Sequence, residues 1–202
     1  LNALNSAAMP DSARNVGEEL THLISTIGEN MTMRRAATIS VTKGALASYV
    51  HSAISPGLGK IGVLVGLESD ADADKLSEVG KQIAMHIAAA KPLSVSQDDL
   101  DPEELEREKS ILAEQARDSG KPENIIEKMV EGRLRKYYEE VCLLDQVFVI
   151  DGETKISDVL AKAGNDLGAP VSVSGFALFV LGEGVEKKEE DFAAEVAAAA
   201  AG

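Results

Sequence analysis

The chain has 202 residues, 45% of them apolar, enough to bury one sizeable core or two small ones without covalent staples. A formal net charge of −14 and an aromatic content of 3% argue against a groove that tracks phosphates or a platform that stacks bases, so nucleic acid is not an expected direct partner. The lone Cys142 has no second thiol for a disulfide or a shared metal, which fits a reducing, cytoplasmic setting. No apolar run is long enough to cross a bilayer, and residues 1–10 carry no basic region ahead of an apolar one, so neither a membrane span nor a signal peptide is expected.

Residues 18–27 place Leu20, Leu23, Ile24 and Ile27 at helical spacing, and Gly28 with Asn30 supplies a stop. Ala37, Ile39 and Val41 then alternate with Thr38 and Ser40, the period-two pattern of a half-buried strand, and Gly44 marks a turn. A second strand follows over residues 45–51. The third is the clearest, with Ile61, Val63, Val65 and Leu67 on one face and Gly62 and Gly66 flattening the other. Asp70 or Asp72 can cap the next helix, whose stripe of Leu76, Val79, Ile83 and Ile87 should cover the sheet, and Pro92 ends it. The polar stretch 91–100 marks a boundary. Asp101 as cap, Pro102 at the first helical position and Glu104 three residues after the cap start a further helix. Ser119-Gly120-Lys121-Pro122 interrupts it before a second helix carrying Ile125, Ile126, Met129, Val130, Leu134, Tyr137 and Val141. So short a turn predicts an antiparallel helical hairpin, and its narrow apolar stripe and high charge suit a projecting element that meets a partner helix. A short strand at 146–150, a helix at 156–164 and a strand at 171–181 should return to the sheet. The tail, with Phe192 and Val196 four apart, is helix-forming.

Three features invite chemistry and support little of it. Gly57-Leu58-Gly59-Lys60-Ile61-Gly62 has the spacing of a dinucleotide fingerprint, but that chemistry needs a strand before the glycines and a helix after them, and here a strand follows. A hairpin turn is the expected reading. His86, between Met85 and Ile87, lacks the second His or the Glu that a zinc site would use, so a packed or capping histidine is expected. His51 likewise has no neighbouring acid or nucleophile. Acidic runs at 98–101 and 187–191 read as solvated surface. No catalytic residue, metal ligand or cofactor is assigned.

Several stretches, in order, carry a family likeness: Ile27-Gly28-Glu29-Asn30 leading to Arg34-Arg35-Ala36, then Ser48-Tyr49-Val50-His51 and Lys60-Ile61-Gly62-Val63-Leu64-Val65. Ile83-Ala84-Met85-His86, Lys91-Pro92, Ser119-Gly120-Lys121-Pro122, Lys128-Met129-Val130-Glu131-Gly132-Arg133, Phe148-Val149 and Asp191-Phe192-Ala193-Ala194-Glu195-Val196 continue it. With these motifs the chain resembles bacterial-type elongation factor Ts. The resemblance implies an α+β fold with two small antiparallel-sheet/helix subdomains. Residues 1–43 would be the remainder of the first, and 44–97 with 143–182 the second. The hairpin at 98–142 would be an inserted coiled-coil dimerisation module, and 183–202 a C-terminal helical module. It implies an exchange factor, not an enzyme, that grips elongation factor Tu and distorts its magnesium and phosphate site so that GDP leaves. It further implies self-association through the hairpin at 102–141.

By motif, the partner-binding positions implied are Ile27, Gly28, His51, Val149, Ile150 and Phe192. For Ile27, Val149 and Ile150, core packing is an equal reading on apolar character alone. Ile150 stands where the family commonly has methionine, a swap an apolar interface tolerates. The chain opens on Leu1, and the family's N-terminal helical domain and its Thr-Asp-Phe motif are not found in it, as a C-terminal fragment would imply. The rival readings are a structural dimerisation module without exchange activity, and an enzyme using His51 or His86.

Overall fold

A computed structural model describes residues 1–118 and 120–185 of the chain. It divides into two compact units, the first spanning residues 1–38 and the second beginning at Ile39. The expected tail helix, with Phe192, lies outside the described residues.

In the first unit a short helix α1 (Asn2–Asn5) precedes α2 (Val16–Ile27). Asn15 opens α2 as a capping box: its side chain accepts from the Glu18 amide at 2.8 Å, and the Glu18 carboxylate accepts from the Asn15 amide at 2.9 Å. The start is thus two residues earlier than apolar spacing alone predicts. At the other end Gly28 adopts φ +80, and its N–H reaches the Ile24 carbonyl, the left-handed closure that glycine provides without a Cβ penalty.

The second unit is α+β. Its antiparallel sheet has the order β1 (Gly44–Ser55), β2 (Leu58–Glu68) and β3 (Ser172–Val180), so the long excursion between β2 and β3 returns the chain to the free edge of β2. Pro56 and Gly57 make the turn between the first two strands, and the glycine-rich run is therefore a hairpin, as its position before a strand requires. Register follows the apolar alternation: Ala47 pairs with Val65 and Tyr49 with Val63, while on β2's other side Val65 pairs with Phe176 and Val63 with Leu178. Gly44 opens β1 where any Cβ would collide with the Leu67 carbonyl, so glycine is required by close approach there.

Helix α3 (Ala73–Ala90) covers this face. The Asp72 side chain caps it by accepting from the Lys75 amide at 3.1 Å, and Leu76, Ile83 and Ile87 are fully buried against Val63, Val65 and Leu67 in one core with Leu143, Phe148, Ile156 and Leu160. Gly80 lets α3 approach Ala47 closely. Helices α4 (Pro102–Arg117) and α5 (Glu123–Val141) pack on each other, with Arg117 beside Glu123 and Arg133 donating to Gln115. Asp101 and Pro102 begin α4 as predicted. Helix α6 (Ile156–Leu167) then leads into β3.

Three expectations are corrected. Residues 37–41 form no strand: among the described residues no strand pairs with them. Instead Ile39 and Val41 point at the bare Gly66 on the sheet's outer face, while the Thr42 and Lys43 amides donate to the Glu68 carboxylate at 2.7 and 3.1 Å. Accordingly there is one sheet among the described residues where two sheet-bearing subdomains are expected. Residues 146–150 are likewise no strand. Their pairing stops at one bridge, Val147 with Lys155, because the chain turns back immediately through Asp151 and Gly152.

Candidate partner-binding site

The turn over residues 146–156 is braced by backbone and side-chain hydrogen bonds. The Ile156 amide donates to the Gln146 carbonyl at 3.0 Å, the Phe148 amide to the Thr154 carbonyl at 2.8 Å, and the Gly152 amide to the Phe148 carbonyl at 2.8 Å. Asp151 accepts from the amides of Glu153 and Thr154, both at 3.0 Å, and these donors hold its carboxyl below the usual carboxylate range. Gly152 takes φ +73 at the reversal. Phe148 points inward and is buried, so the residues on either side of it point outward.

Val149 and Ile150 are consequently 47% and 53% exposed, although both are apolar and both sit on a rigid frame. Neither side chain belongs to the core of the described residues. Val147, which sequence reading did not single out, is equally exposed on the same turn. Behind the turn lies His86, buried on α3 as a packed and capping histidine: its Nε2 lies 2.9 Å from Gln146 Oε1, and its Nδ1 accepts from the Val149 amide at 3.3 Å. Burial pushes the His86 pKa down, partly opposed by the Gln146 contact, so the neutral ring is favoured.

His51 stands elsewhere, on β1 opposite Ile61, exposed, with its Nδ1 3.1 Å from the Tyr49 hydroxyl. The next residue, Ser52, has φ +52, a left-handed kink where strand pairing becomes irregular. Ile27 ends α2 in the first unit, 56% exposed, beside the left-handed Gly28. Among the described residues no group of His, Cys, Asp and Glu side chains is placed to hold a metal ion, and no helix is long and apolar enough to cross a membrane.

What these positions have in common is exposure: apolar side chains and one imidazole held out on ordered backbone. Comparison with known proteins gives the family, since residues 1–183 match the model described as Elongation factor TS. The chain belongs to the elongation factor Ts family. It is 62% identical over 197 residues to the Elongation factor Ts of Rhodospirillum centenum, covering 98% of this chain and 64% of that protein. To that of Rhodospirillum rubrum it is 62% identical over 199 residues, with the same coverages, and to that of Caulobacter vibrioides 54% over 192 residues, covering 95% and 62%. The chain thus spans a little under two thirds of the length of these relatives. Within this elongation factor Ts family member, the motif-implied positions fall into three places: the C-terminus of α2, the outer half of β1, and the braced turn before α6. Phe192 lies outside the described residues. The spacing of the sequence had no signal for the His86–Gln146 link, which joins residues 60 apart, but Asp151-Gly152 is a turn dipeptide that flags the reversal.

Proposed function

We propose that this chain binds the GDP form of elongation factor Tu and promotes release of the nucleotide. Membership of the elongation factor Ts family carries the reading, and the exposed apolar tip of Val149 and Ile150 supports it at residue level, because large apolar side chains held on rigid backbone in water are suited to burial against a partner. His51 and the Ile27–Gly28 end of α2 supply further contacts. Release of GDP needs no covalent step. The factor favours a partner conformation that holds GDP weakly, and it shifts that equilibrium only by its differential affinity for the two conformations. By linkage, the factor by which it weakens GDP binding equals the factor by which GDP weakens its own. Titration of elongation factor Tu with and without GDP tests this directly. The affinity of the chain should be higher for the nucleotide-free form, and Val149→Asp with Ile150→Asp should weaken both by at least about tenfold, as placing charge in a buried apolar contact does. Equal affinities for the two forms, or indifference to the double substitution, would count against the reading.

A second reading concerns the pair α4 and α5, favoured by its thin burial: only Ala116 and Ile126 are buried among its described residues, while Ile111 and Ile125 are exposed. The pair is a self-association element, a hairpin whose outer apolar residues meet a second copy. Light scattering checks it. The molar mass should fall toward the monomer when Ile111 and Ile125 are both replaced by Glu.

A further inference from the structure

The tip that carries Val149 and Ile150 is held from behind by a single polar chain whose members come from three different elements. The Gln146 side-chain amide donates to the Glu140 carbonyl at the end of α5, at 2.6 Å, and this fixes which way round the amide lies. Its Oε1 is thereby left as an acceptor, and it faces His86 Nε2 at 2.9 Å. The Val149 N–H points at His86 Nδ1 at 3.3 Å. Only one state of the ring satisfies both contacts, the neutral tautomer with its proton on Nε2. No other histidine of the chain is buried.

We propose that His86 is a positioning residue for partner binding, fixing the Val149–Ile150 tip in its binding geometry through the Val149 amide. The inference rests on the reading of Val149 and Ile150 as partner contacts. A tip ordered before encounter loses no further conformational freedom when it docks, and that preorganisation is what His86 contributes to affinity. The ring is also a conditional support. A proton on Nδ1 would set one N–H donor against another and release the Val149 amide, so the tip is held only while His86 is neutral. The charged groups on the elements around the ring are Glu139 and Glu140 on α5, Asp145 before Gln146, and Asp151, Glu153 and Lys155 in the turn. Lys155 is engaged with Glu139 at 3.4 Å, and Asp151 with backbone amides. On α3 itself the neighbouring turns carry Gln82, Ile83, Ala89 and Ala90, none of them charged.

The test uses the full chain with His86→Leu and His86→Asn, each alone and combined with Val149→Ala and Ile150→Ala. Asn places a carbonyl oxygen close to the position of Nδ1, so it keeps the acceptor for Val149 and loses the link to Gln146. Affinity for elongation factor Tu–GDP should fall about tenfold in His86→Leu, the weight of one buried hydrogen bond, and recover in large part in His86→Asn. In the background lacking the tip side chains, His86→Leu should cost nothing further, because the effect travels through the tip. In the free chain, hydrogen exchange at the Val149 amide should accelerate in His86→Leu and stay slow in His86→Asn. An affinity loss of equal size in the tip-deleted background would overturn the proposal, leaving His86 a general packing residue. Unchanged Val149 exchange in His86→Leu would overturn it from the other side, since the clamp would not exist. If deletion of the tip side chains alone leaves affinity unchanged, the contact reading of Val149 and Ile150 fails and the proposal fails with it, while the exchange measurement still reports on the clamp separately.

Discussion

Helices α3 and α5 are of nearly equal length, 18 and 19 residues, yet α3 buries Leu76, Gly80, Ile83, Ala84, His86, Ile87 and Ala88, whereas among the described residues of α5 only Ile126 is buried. The contrast is one of what each helix has to lie on. Helix α3 rests along the sheet with small residues, Gly80 and Ala84, that bring its backbone close to β1 and β2. Helix α5 has α4 alongside it, a surface one helix wide, and much of the rest of its circumference is charged. Apolar residues in the two helices therefore differ in role. In α3 they hold the fold together; in α5 most are only half-buried, and Ile125 is exposed.

The largest expected effect separates the two helices. Ile83→Ala empties a fully buried site and should cost about 2–5 kcal/mol in urea unfolding, whereas Ile125→Ala at an exposed site should cost no more than about 0.5 kcal/mol. Comparable losses would break the contrast by showing that α5 is covered in solution. In that case the Ile125→Ala loss should grow with protein concentration, as association requires.

The sequence made the α3 side of this comparison easy to read and the turn before α6 hard. The i, i+7, i+11 placement of Leu76, Ile83 and Ile87, the Asp72 cap and Pro92 beyond the end all act within one element, and each appears in the structure where local reasoning puts it. The three-residue alternation of Ile39 with Ala37 and Val41 misled for a non-local reason. A strand needs a neighbour to bond its backbone, and alternation reports only side-chain faces, so Ile39 and Val41 lie against Gly66 without pairing. Likewise the apolar run from Val147 to Ile150 reads as a buried strand on composition. The reversal at Asp151-Gly152 and the long-range link to His86 leave only Phe148 inside. Family likeness singled out Val149 and Ile150, but what braces them could not be read from spacing, because Glu140, Gln146 and His86 meet only after the chain has folded.

A smaller effect sharpens the comparison through pH. The buried face of α3 includes a titratable group, and α5 has none so enclosed. Burial lowers the pKa of His86, so between its folded value and its ordinary value near 6.5 the unfolded chain binds the proton and the folded chain does not. The contribution of the neutral ring is therefore fully present above about pH 6.5, and it is lost as the pH falls below that, until the folded-state pKa is passed. The slope can reach about 1.4 kcal/mol per pH unit for one proton. Urea unfolding at a series of pH values should show this component in the parent and lose it in His86→Leu. A slope that persists unchanged in the variant would assign the acid sensitivity to other groups.

The smallest effect has opposite signs in the two helices. Gly80 and Gly132 each occupy a helix interior, where alanine is favoured over glycine by about 1 kcal/mol because glycine loses more backbone freedom. At Gly132 a Cβ would meet nothing within 4 Å, so Gly132→Ala should raise stability by nearly that amount. At Gly80 the same Cβ would stand 2.7 Å from the Ala47 Cβ and 3.4 Å from Leu67 Cδ1, and Ala47 cannot rotate away because its methyl is fixed to the backbone of β1. Helix and strand would have to separate, and overpacking of this kind costs about 1–3 kcal/mol, enough to cancel the gain in propensity and leave a net loss. Thermal unfolding of the two variants should therefore move in opposite directions, upward for Gly132→Ala and downward for Gly80→Ala. If Gly132→Ala also destabilises, and does so more at high protein concentration, a second copy packs against that face of α5, and the helix that looks uncovered in one chain is covered in the assembly.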